Sequence, residues 1–169
     1  GGTSARVVGT FLQWMQDKTA PVFVVATAND ITQLPPEMLR KGRWDELFFV
    51  DLPTPDEREQ IWQIQIRRHG RKPEDFGIAT ADNGPSLVQA SDGFTGAEIE
   101  QAFIEALYWA FSQDREPTTE DVRQCLEVSV PLSKTMGVDI AAMRNWAQGR
   151  ARMATRTQQK QTPLIRRFA

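Results

Sequence analysis

The chain has 169 residues, 40% of them hydrophobic and 25% charged, with a formal net charge of −2, the size of one ordinary domain or two small ones. A single cysteine, Cys125, excludes an intramolecular disulfide and a Cys-rich zinc site, and a single histidine, His69, excludes a His-rich metal site and an HExxH protease. Apolar runs such as residues 22–26 fall far short of the roughly 20 residues that span a bilayer, and no basic-then-apolar leader opens the chain, so the sequence offers no membrane or secretion signal.

Val8, Phe11, Leu12 and Met15 stand at i, i+3, i+4 and i+7, which predicts a helix over residues 4–17. Ala20-Pro21 breaks that pattern. Residues 22–27 form a short β-branched run of the kind buried on both faces of a parallel sheet, and a helix followed by such a strand points to α/β architecture. Pro35-Pro36 opens a helical turn to Arg40, Gly42 closes it, and residues 47–50 supply a second expected buried strand, ended by Pro53. Thr54-Pro55-Asp56-Glu57 is a capping box, and it opens a helix to about Arg68. Residues 71–85, rich in Gly, Pro, Asp and Asn, read as a long loop. A second box at Thr95-Gly96-Ala97-Glu98 opens a core helix with Ile99, Ala102, Phe103, Ala106, Leu107 and Ala110 on one face, and Trp109 and Phe111 adding bulk near its end. A third start at Thr118 leads to Val122, Cys125, Leu126 and Val128, and Asp139 caps a helix expected to reach about Met153. From Thr54 onward the pattern is helical, so the boundary at Pro53 separates the back of a sheet domain from a helical module.

The net charge conceals an asymmetry. After Asp139 there is no acidic residue, and Arg144, Arg150, Arg152, Arg156, Lys160, Arg166 and Arg167 give +7, leaving −9 for residues 1–139. Residues 155–169 show no sustained period and read as a mobile basic tail. Such a tail can meet nucleic acid or an acidic partner, but no aromatic interleaving or base-reading motif accompanies the charge.

Three features follow one another in order: a strand ending in Ala28-Asn29, the turn Leu39-Arg40-Lys41-Gly42-Arg43-Trp44-Asp45, and the helix start Asp92-Gly93-Phe94-Thr95-Gly96-Ala97-Glu98. Together they resemble the second region of homology of classical AAA+ ATPases over residues 1 to about 130. The continuation through Leu132-Ser133-Lys134-Thr135-Met136 to Trp146 and Arg152 is most similar to the AAA family encoded in plastid genomes, cyanobacteria and other bacteria. The resemblance implies an α/β fold, namely the carboxyl-side part of a parallel-sheet P-loop NTPase core (1–53), followed by an α-helical lid (54–135), a C-terminal helix (136–154) and the tail (155–169).

It also implies roles. Asn29 matches the sensor-1 position, whose amide orients the attacking water against the γ-phosphate. Arg40 and Arg43 match arginine fingers that neutralise transition-state charge in a neighbouring subunit. Gly96 and Ala97 match the lid-helix start that packs on the nucleotide. In plainer terms Asn29-Asp30 makes an Asx turn, the arginines pair with Asp45 or Glu46, Thr95 to Glu98 is only a cap, and Arg6 is an exposed helix-start arginine rather than a pore residue. Lys41 and Trp44 stand where the family more often has Pro and Phe. No Gly-x-x-x-x-Gly-Lys-Ser/Thr occurs in the chain, and Leu52 stands where a Walker B strand ending at Asp51 would need Glu.

The expected reading is therefore a fragment, opening without Met, of a ring-forming, hexameric, Mg-ATP-dependent ATPase that remodels a protein partner. ATP and Mg²⁺ belong to the complete parent, the fragment alone binds neither, and no metal ligands are assigned in it. The expected compartment is the cytoplasm, or the plastid stroma if plastid-encoded. Two alternatives stand beside it: a non-catalytic module docking on an AAA subunit, and nucleic-acid binding through the basic extension.

Overall fold

The computed structural model describes residues 2–40 and 42–155. Its first helix, α1 (Gly2–Asp17), forms where the apolar stripe predicts it, with Leu12 turned inward and Val7 and Trp14 exposed. A short 3₁₀ turn, Ile31–Gln33, follows, capped by Asp30, whose Oδ1 accepts from Thr32 N at 2.8 Å. A second, Pro36–Leu39, starts at the prolines, and Gly42 adopts φ +88° just beyond it.

The expected strand at 22–27 does not form. Among the described residues no backbone group of this stretch meets a partner, and Phe23 and Val25 are 93% and 76% exposed. A β-branched run becomes a strand only where a neighbouring backbone completes its ladder. The expected buried strand at 47–50 is likewise reduced to β1 (Phe48–Phe49), with Phe48 and Val50 mostly exposed. The pairing of β1 is nonetheless parallel. Its partner is β2 (Arg152–Met153), in the register Phe48 with Arg152 and Phe49 with Met153, so the sheet character lies between residues far apart in sequence.

The helical part carries the core. Helix α2 (Pro55–Arg68) begins with the expected reciprocal cap: Thr54 Oγ1 accepts from Glu57 N, and Glu57 Oε2 accepts from Thr54 N. Helix α4 (Gly96–Ser112) and helix α5 (Thr119–Val128) start with the same device, at Thr95/Glu98 and Thr118/Asp121. A short helix that the sequence reading lacked, α3 (Leu87–Ala90), repeats it with Ser86 and Gln89. Helices α2, α3, α4 and α5 pack on one another through Trp62, Ile66, Leu87, Ile99, Phe103 and Val122, all fully buried. Each such side chain contributes about 1.5–3 kcal/mol of burial free energy. The indole of Trp62 donates to Ser91 Oγ at 3.0 Å, and Ser91 in turn donates to Leu87 O at 2.6 Å, so both of these buried polar groups are satisfied.

The supposed loop over 71–85 is partly core. Phe76 and Ile78 are buried, Phe76 meets Phe103 edge-on at 5.5 Å, and the carbonyls of Gly77 and Ile78 accept from Leu87 and Val88. Two widely spaced apolar residues among turn formers give no periodic signal. At the end of α4 the expected added bulk points outward instead: Trp109 and Phe111 are 54% and 82% exposed, because the buried stripe ends at Ala110.

Beyond α5 come α6 (Leu132–Thr135) and α7 (Gly137–Ala147). Asp139 lies in the first turn of α7 rather than capping it. The helix stops at Ala147, short of the expected Met153, because Gln148 leaves helical geometry and Gly149 turns to φ +71°, which redirects the chain into β2. The expected tail lies, Thr155 apart, outside the described residues.

Candidate functional site

The turn after Pro36–Leu39 is held by its aromatic residue. The indole N–H of Trp44 donates to Met38 O at 2.8 Å, and Arg43 N donates to Arg40 O at 3.3 Å. Trp at this position thus closes the loop with a hydrogen bond that Phe could not make. Arg40 is exposed, whereas Arg43 is half-buried, with its Nη1 fully enclosed and lacking an acceptor among the described residues. The expected pairing of these arginines with Asp45 or Glu46 does not occur there: Glu46 instead meets Arg152 at 3.3 Å. A buried guanidinium nitrogen without a partner carries a desolvation penalty on the order of 1–3 kcal/mol.

Asn29 is exposed, and its side chain makes no hydrogen bond among the described residues. The Asx turn belongs to Asp30 alone, whose carboxylate also accepts from Thr32 Oγ1 at 2.7 Å; these bonds hold its pKa below the ordinary value.

Gly96 and Ala97 are the first residues of α4. Their N–H groups, which the helix itself cannot satisfy, meet no acceptor among the described residues. Glu98 already places a carboxylate at this positive helix end: Oε2 accepts from Thr95 N and Oγ1, and Oε1 accepts from Leu132 N at 2.8 Å. The filled cap suits an uncharged ligand face better than a phosphate. A Cβ built on Gly96 would meet only Ile61 Cδ1, at an ordinary 3.7 Å, so packing within the chain does not require glycine here.

Three of the five sequence-predicted residues therefore lie on the segment before β1 and two at the start of α4. No hydrogen bond or ion pair among the described residues joins the two groups. The exposed Arg6 is consistent with its plainer reading.

Asp51 makes no approach to a metal-binding group. It binds Arg144 bidentately, with Arg144 Nε 2.8 Å from Oδ2 and Nη2 2.8 Å from Oδ1, and no cluster of three His, Cys, Asp or Glu side chains suited to a metal occurs among the described residues. Sequence reasoning missed this pair, which joins positions 93 apart. It also missed Arg58, buried beneath α3, which donates to Val88 O and Pro53 O and pairs with Asp92 at 3.1 Å. Arg58 could have been found from its spacing, since it shares the α2 stripe of Trp62 and Ile66. Within the basic extension, Arg144 and Arg152 are neutralised by Asp51 and Glu46, and Arg150 lies over the Trp146 ring. That leaves less free charge for nucleic acid than the sequence count suggests.

Comparison with known proteins gives the relationship. The family described as ATPase family associated with various cellular activities (AAA) matches residues 1–52. The chain is 48% identical over 92% of its length to a protein of Pyropia yezoensis named uncharacterized AAA domain-containing protein ycf46, covering 31% of that protein. It is 44% identical over 91% of its length to the ycf46 protein of Trieres chinensis, covering 30% of it. A proteasome-activating nucleotidase of Saccharolobus islandicus is 36% identical over 58% of the chain, which covers 23% of it. The chain thus spans less than a third of the curated relatives it matches. Residues 1–52 thus carry the match to the AAA family of ATPases, and the chain as a whole is homologous to the ycf46 AAA domain-containing proteins.

Proposed function

We propose that this chain forms the sensor and lid side of an AAA+ ATP-hydrolysing unit, with residues 54–135 acting as the lid and the phosphate cradle supplied by sequence outside it. The observation that carries the reading is the turn that Trp44 closes onto Met38 O, with Arg40 exposed and Arg43 half-buried within it. A planar, always-charged guanidinium of this kind suits a phosphate. Arg40 and Arg43 compensate charge on the γ-phosphate bound by a neighbouring subunit, Asn29 orients the water, and Gly96 with Ala97 bounds the base and ribose side.

The complete protein on this reading is a ring, hexameric as in the sequence expectation, that couples hydrolysis to remodelling of a protein partner. It works in the cytoplasm, or in the stroma where plastid-encoded. Among the described residues no helix is long and apolar enough to cross a membrane. The test uses the complete protein. Arg40→Ala and Arg43→Ala should each lower hydrolysis by about 10³-fold or more, the effect seen when such a finger is removed, with nucleotide binding retained. Unchanged turnover in both variants refutes the assignment.

A further inference from the structure

The chain doubles back on itself after the helical core. Residues 137–155 leave α6, cross as α7, and return as β2 to pair with β1, with Arg152 N donating to Leu47 O at 2.8 Å and Ala154 N to Phe49 O at 2.9 Å. Both ends of this excursion are tied to the core: Leu132 N donates to Glu98 Oε1 at 2.8 Å before it, and Thr155 Oγ1 lies 3.4 Å from Glu57 Oε2 after it. Between those ends it grips the segment before Pro53 by the bidentate Asp51–Arg144 pair and by Glu46–Arg152. Asp51 Oδ1 also accepts from Leu52 N at 2.7 Å, so the carboxylate that holds Arg144 also fixes the backbone of the connection into α2. That connection, residues 50–54, is the covalent link between the segment bearing Arg40 and Arg43 and the helical core, and it has no regular structure. The element packing repeats the pattern: α2 to α5 contact one another, β1 contacts β2, and α6 contacts α7.

We propose that residues 137–155 are a strap that latches the 46–51 segment to the helical core and sets the angle at the 50–54 hinge, with the Asp51–Arg144 pair as its clasp. The clasp is ionic and half-exposed, Arg144 being 48% exposed and Asp51 19%, so salt loosens it. The strand pairing is two residues long and cannot hold by itself. Opening the clasp therefore releases the strap while α2 to α5, which keep their own apolar core, stay folded. The inference concerns geometry alone and does not depend on nucleotide.

The test measures amide exchange by NMR on the full chain, without nucleotide, together with spin-label distances between Glu37→Cys and Gln101→Cys in a Cys125→Ser background. In Arg144→Gln, exchange at the amides of Arg152 and Ala154 should accelerate about fivefold, as expected for loss of one part-exposed pair, and the distance distribution should broaden. Salt at 1 M should do the same to the unsubstituted chain. The charge swap Asp51→Arg with Arg144→Asp should restore slow exchange and a narrow distribution. Unchanged exchange and distances in Arg144→Gln overturn the proposal. So does failure of the swap to restore them, which would make Arg144 a packing residue, and so does an equal acceleration in α4, which would mean that strap and core do not separate.

Discussion

Gly96→Ala separates what the fold needs from what a ligand needs, because the two effects have opposite signs. In the chain itself the new methyl has room: its only neighbour within 4 Å is Ile61 Cδ1 at 3.7 Å, and the backbone is not in the left-handed region. Replacing glycine by alanine where the native backbone accepts it removes freedom from the unfolded chain and stabilises by about 0.4–1 kcal/mol. For a helical unit of this size that corresponds to a rise of roughly 2–6 °C in melting temperature. If a nucleotide packs on the start of α4, the same methyl enters its space, and overpacking of a close contact costs about 1–3 kcal/mol, or roughly 5- to 150-fold in Kd. Differential scanning calorimetry on the chain and nucleotide titration on the complete protein read the two effects independently. A fall in melting temperature refutes the packing account. A raised melting temperature with unchanged nucleotide Kd removes Gly96 from the site while leaving the fold description intact.

Two further outcomes follow from the helical core. Asp121 is buried and accepts from Arg115 at 2.6 and 2.7 Å and from Thr118 N and Oγ1, and these bonds, Arg115 foremost, hold its carboxyl well below the ordinary 3.8. A depressed folded pKa gives stability that is fully present above the unfolded value and is lost as pH falls through the folded one. Asp121→Asn should therefore lower stability by about 2 kcal/mol at pH 7, Arg115 being partly exposed, with the gap to the unsubstituted chain closing below pH 3.8; thermal melts at a series of pH values check this, and a gap independent of pH would contradict it. Gly93 has φ +80°, and a Cβ there would fall onto the Ser133 hydroxyl, so Gly93→Ala should cost more than about 1 kcal/mol in urea unfolding, with part recovered in combination with Ser133→Gly. No recovery in the double variant would show that backbone strain alone sets the cost.

Legibility in the sequence followed the range of the interactions. The capping boxes at Thr54 and Thr95 and the helix start at Thr118 were readable because each is closed within four residues, and all three form with both reciprocal bonds, Thr118 with Asp121 included. The apolar face of α4 was readable because a 3.6-residue period has one geometric solution. Arg144 with Asp51 was not, since nothing local ties an arginine in one helix to an aspartate in a distant loop. Phe76 and Ile78 were hidden for a different reason: two apolar residues among glycine, proline and aspartate carry no period, and only the hydrogen bonds of Gly77 and Ile78 to α3 explain their burial. For the candidate site, the sequence supplied the residue types, and the structure added the Trp44 bond that closes the turn and the enclosed nitrogen of Arg43.

The contrast between the two parts of the chain bears on how such a unit could work. Residues 54–128 bury their own apolar core, with the indole of Trp62 bonded to Ser91 inside it. Residues 18–53 bury little and leave Phe23, Val25, Phe48 and Val50 facing outward. Exposed apolar surface costs free energy, so this segment gains most from company, above all from other backbone beside residues 22–27. The proposed clasp of Asp51 and Arg144 therefore joins a segment that gains from binding to a helical core that buries its own apolar residues.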